Sequence, residues 1–92
     1  MRYNVHVPTI CFFDGIAIRM YYDDHPPAHF HVAYSEEFAK VGIDPITILA
    51  GTLPRSIRAK VFEWAAIHQS ELRANWELAR GHQPLLQIEP LD

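Results

Sequence analysis

Ninety-two residues allow one domain around one hydrophobic core and leave no room for a second. Hydrophobic residues at 49% and charged residues at 21% describe a folded globular chain and exclude a disordered tail. A net charge of −3 does not favour a nucleic-acid partner, and a single cysteine excludes both an internal disulfide and a cysteine-rich zinc site.

Residues 1–7 read as an N-terminal extension, followed by a single domain over residues 8–92. The start lacks the apolar core of a signal peptide, and no stretch reaches the ~20 apolar residues of a membrane span. The expected setting is therefore cytoplasmic and reducing, with no membrane partner. The first strand falls near residues 9–13, where Cys11 in the run Ile10-Cys11-Phe12-Phe13 reads as a small buried side chain.

Asp14-Gly15 follows as a two-residue hairpin turn of type I′. A second strand is expected over residues 16–22, with Ile16, Ile18, Met20 and Tyr22 on one face and Ala17, Arg19, Tyr21 and Asp23 on the other. A third, over residues 29–34, alternates Phe30, Val32 and Tyr34 with His29, His31 and Ala33. Strands near residues 38–43 and 47–50 flank Asp44-Pro45, which reads as a turn.

Pro54 suits a first helical turn, and Ile57, Val61, Trp64, Ala65, His68, Leu72, Trp76 and Ala79 form a helical stripe beyond it. Ser70 followed by Glu71 predicts a cap inside this region, hence two helices over residues 54–68 and 70–80, with Gly81 as the stop. The apolar tail, residues 85–91, is expected to dock on the sheet or on a partner. Strands first and helices after give an α+β fold: an antiparallel sheet of four to five strands with two C-terminal helices packed on one face. The other face then carries the histidines.

The stretch DDHPPAHFHV, residues 23–32, concentrates the candidate chemistry. Its double proline makes the loop extended and stiff, which lowers the entropy cost of presenting side chains. Pairing Tyr22 with Phe30 would set Asp23 opposite His29 and Tyr21 opposite His31. One reading is a metal site for an ion such as zinc, with His29, His31 and a third ligand from His25, Asp23 or Asp24. A second is catalysis on a phosphoester, with His29 or His31 as general acid or base, Arg19 steadying phosphate and Tyr21 touching a nucleotide. A third is purely structural. His25 and His29 would pin the loop by donating ring N–H bonds to backbone carbonyls, and His31 would be a half-buried sheet residue.

Several landmarks together resemble a known family. They are Pro8-Thr9-Ile10, Phe13-Asp14-Gly15-Ile16, Ile18-Arg19-Met20-Tyr21, Asp24-His25-Pro26-Pro27, His29-Phe30-His31-Val32 and Gly51-Thr52-Leu53-Pro54. Trp64, His68, Glu71-Leu72, Asn75-Trp76 and Ile88-Glu89-Pro90-Leu91 complete the set. The chain resembles DUF4160 domains, small bacterial and archaeal proteins without an established activity. The resemblance implies a small DUF2442-like partner encoded nearby, in an arrangement similar to toxin–antitoxin modules, or self-association into a homo-oligomer. His25, His29 and His31 match the family signature, which supplies no catalytic roles for them.

Overall fold

In the computed structural model, which describes residues 8–92, the chain opens with the hairpin that Asp14-Gly15 encodes. Both turn residues take positive φ, 51° at Asp14 and 76° at Gly15, and this type I′ geometry matches the twist of the flanking strands. The turn joins β1 (Thr9–Phe13) to β2 (Ile16–Arg19). Then come β3 (His29–Tyr34), β4 (Glu37–Gly42) and β5 (Ile48–Gly51), each antiparallel to its predecessor. The result is a five-stranded meander in the order β1-β2-β3-β4-β5. The expected extension, residues 1–7, lies outside the described residues.

Two helices follow the sheet, α1 (Arg55–Ile67) and α2 (Gln69–Arg80). The apolar stripe read from the sequence is their buried side: Ile57, Val61, Trp64 and Ala65 on α1, Leu72, Trp76 and Ala79 on α2. They close over Ile16, Ile18, Phe30, Val32 and Val41, the inward row of each central strand. Trp64 is fully buried, with its ring edge-on to Phe30 at 5.8 Å and tilted on Phe13 at 6.1 Å. Each large side chain so buried contributes about 1.5–3 kcal/mol, so this layer pins the helices to the sheet.

The helices break at His68, which ends α1 and begins α2. The cap expected at Ser70 is not formed. Instead His68 sits at φ −109°, ψ 24°, and its ring pairs with Glu71 in the first turn of α2, where a negative charge suits the helix dipole. At the far end Gly81 caps α2, but the residue with positive φ is His82, at 56°. The tail docks inside the molecule. Ile88 donates to the Ile10 carbonyl at 2.9 Å, the Trp64 indole donates to the Glu89 carbonyl at 2.8 Å, and the Asn75 side chain bonds both backbone groups of Leu86 at 2.9 Å.

One expectation needs correction because it positions the site. Strand β2 ends at Arg19, and Arg19, not Tyr21, lies opposite His31; Ile18 faces Val32 and Ile16 faces Tyr34. The pairing is displaced by two residues because the chain leaves the sheet early. Asp23 takes φ 60° and its N–H reaches the Ala79 carbonyl on α2 at 3.4 Å, which bends the segment toward the helix. A shift of two keeps every side chain on its face.

Candidate functional site

The sheet face away from the helices carries two cross-strand rows. One consists of Phe12, Ala17, Ala33 and Phe38, directly opposite one another across four strands. Small alanines between two phenylalanines leave both rings standing proud, each 65% exposed. The neighbouring row is Thr9, Arg19, His31, Lys40 and Ala50. Arg19 Nε donates to Thr9 Oγ1 at 3.3 Å, which holds the guanidinium along the sheet. Between the rows lies a trough of about 310 Å³ whose walls include Arg19, Tyr21, His31, Phe38 and Lys40.

At one end of this face, the proline loop folds Asp24 back over β3. Its Oδ2 lies 2.9 Å from His29 Nε2 and 3.1 Å from His31 Nε2, while Oδ1 accepts the His25 backbone N–H at 3.0 Å. His29 Nδ1 donates to the Pro27 carbonyl at 2.7 Å. The His29 ring also packs against Trp76, with centroids 5.2 Å apart, and is only 1% exposed. His31 is half-buried, and the Tyr21 ring stacks on it at 4.1 Å and 10°.

The charges follow from these contacts. Burial pushes the Asp24 carboxyl up, but hydrogen bonds from His31 and the His25 N–H outweigh it and hold the group below its ordinary value. Burial pushes His31 below its ordinary value, against the opposing pull of the Asp24 hydrogen bond. At neutral pH an ionised carboxylate therefore faces a neutral His31 ring.

Of the residues expected at the site, the fold brings Asp24, His29 and His31 together, with one ligand atom from each within 4.8 Å of the others. Arg19 and Tyr21 adjoin His31. His25 and Asp23 do not join them. The His25 side chain is 85% exposed, with Nδ1 3.5 Å from Asp24 Oδ1, and Asp23 turns away to His82 at 3.3 Å. The acid facing His29 is thus Asp24 and not Asp23. His29 was expected on the open face. It is sealed instead, because the loop and Trp76 close over the first residue of β3. As the third reading expected, the His29 ring pins the loop through the Pro27 carbonyl and His31 is half-buried, whereas the exposed His25 ring pins nothing among the described residues. Sequence reasoning passed over Phe12, Phe38 and Lys40, although the alternation Phe38, Lys40 against Ala39, Val41 already places the first pair outward.

Residues 15–77, more than half of the chain, match the family model described as Domain of unknown function (DUF4160), and the protein belongs to that family. No curated protein and no solved structure matches the chain. Among the described residues, no helix is long and apolar enough to cross a membrane.

Proposed function

We propose that this DUF4160 protein is an interaction module of toxin–antitoxin type whose open sheet face is covered by a small, DUF2442-like partner protein. The observation that carries this reading is the row Phe12, Ala17, Ala33 and Phe38. Two phenylalanines 65% exposed on one continuous sheet surface are a contiguous apolar patch of the kind that marks an interface. The adjoining row adds Arg19 and Lys40, a local cationic edge on a chain of net charge −3. The complementary partner presents acidic residues around an apolar centre.

Phe12→Asp and Phe38→Asp change exposed positions, so the variants fold. Loss of a central aromatic anchor costs about 2 kcal/mol or more, roughly a 30-fold weaker complex. Size exclusion and pull-down with the product of the adjacent gene read the effect directly. Wild-type protein that stays monomeric and ignores this neighbour refutes the proposal. Self-association through the same face, abolished by the same variants, would replace the heterologous partner with a second copy.

A second reading has its own support in the arrangement of His31, Tyr21 and Arg19 around the trough. A neutral imidazole stacked on a phenol ring, with a guanidinium opposite it in register, suits a histidine-based hydrolase acting on a phosphoester such as RNA. His31 would move the proton, Arg19 would hold the phosphate, and the sealed His29 would fix Asp24. Folded His31→Ala protein that keeps full toxicity and nuclease activity would end this reading.

A further inference from the structure

We infer that Asp24, His29 and His31 form a mononuclear site for a divalent transition-metal ion, held by Asp24 Oδ2, His29 Nε2 and His31 Nε2. The convergence of donors is the first argument. The Pro27 carbonyl at 2.7 Å can only accept, so His29 Nδ1 donates to it and Nε2 is turned toward Asp24 Oδ2, 2.9 Å away. His31 Nε2 reaches the same oxygen at 3.1 Å, and one ligand atom from each of the three residues lies within 4.8 Å of the others. A divalent cation is a partner that two imidazole nitrogens and one carboxylate oxygen can share.

The surroundings are those of a supported metal ligand. Imidazole ligands donate their second nitrogen to a carbonyl or carboxylate, which fixes tautomer and ring orientation, and the Pro27 carbonyl does this for His29. The second oxygen of Asp24 is likewise occupied, by the His25 N–H. Packing against Trp76 and Tyr21 restrains the two rings. Two imidazoles and one carboxylate suit zinc, iron(II), cobalt or nickel and discriminate against magnesium and calcium, which prefer oxygen donors.

Dimensions agree. A tetrahedral zinc ion about 2.0–2.1 Å from each donor sets neighbouring donors about 3.3–3.4 Å apart. The observed separations from Asp24 Oδ2, 2.9 Å and 3.1 Å, are a few tenths of an ångström short. Rotation of the Asp24 carboxyl group, which lies on a loop and not in the sheet, supplies that difference. The Asp24 and His31 side chains are 13% and 23% exposed, against 2% for His29, so the centre meets solvent on their side and can add a water or a substrate oxygen there.

The test uses the full chain without an affinity tag, stripped of metal by a chelator and titrated with zinc against a chromophoric competitor. One equivalent binds. His31→Ala and Asp24→Asn, both at partly exposed positions and checked for native circular dichroism, weaken zinc by more than the ~10–100-fold typical of lost supporting contacts. His25→Ala binds as the wild type does. Nitrogen NMR of the wild-type protein adds a readout independent of any variant: zinc shifts Nε2 of His29 and His31 while His29 Nδ1 keeps its proton. Failure to take up stoichiometric zinc overturns the inference. So does zinc binding that survives His31→Ala and Asp24→Asn, or that His25→Ala abolishes.

Discussion

Cys11 sits in β1 with 3% of its surface exposed, and burial raises its thiol above the ordinary value. Thiolate is the reactive form, so a disulfide reagent at neutral pH should label the native protein orders of magnitude more slowly than the urea-unfolded chain. Labelling at the rate of a free thiol would show that β1 opens readily. The burial of Cys11, Trp64 and Trp76 was legible in the sequence, because an apolar run and a helical stripe are local patterns. The burial of His29 was not. Its alternation with Phe30 placed it outward, and only the return of the loop and the arrival of Trp76 from α2 enclose it. Asn75, buried with both its polar ends on Leu86, was hidden for the same reason: its partners lie beyond the helix, in the tail.

At the scale of elements, one exposed clasp links the β4–β5 turn to α2. Arg73 donates to both oxygens of Asp44, at 2.7 Å from Nε and 2.8 Å from Nη2, and Gln69 donates to Asp44 Oδ1 at 2.9 Å. The Arg73 hydrogen bonds hold the Asp44 carboxyl below its ordinary value. A carboxyl depressed by folding gives stability that is present above its unfolded value and is lost as pH falls through the folded one. The gap in melting temperature between wild type and Arg73→Ala should therefore narrow on acidification from about pH 6 to about pH 2, and shrink with salt. A gap independent of pH would contradict the pairing. The turn itself was readable from Asp44-Pro45, and so was an antiparallel sheet of four to five strands ahead of two helices. The β2–β3 register was not, because the departure of Met20 and Tyr21 from the sheet is set by α2, far along the chain.

For the molecule as a whole, the order of strands and helices fixed the α+β architecture, since an antiparallel meander with one apolar face needs a layer to cover it. The helices cover that face and leave the other open. On the open side stand the apolar row, the cationic edge and, at one end, the Asp24 centre. Alternation alone placed Arg19 and His31 there. That Phe12, Ala17, Ala33 and Phe38 align into one band depends on the register of three strand pairs, which no local pattern fixes. This band is the proposed interface. Its most direct measurement is an amide and methyl NMR titration of the labelled protein with the product of the adjacent gene. Shifts centred on Phe12, Ala17, Ala33 and Phe38, with Arg19 and Lys40 at their margin, are the predicted result. Shifts confined to the outer faces of α1 and α2, or none at stoichiometric partner, would contradict it.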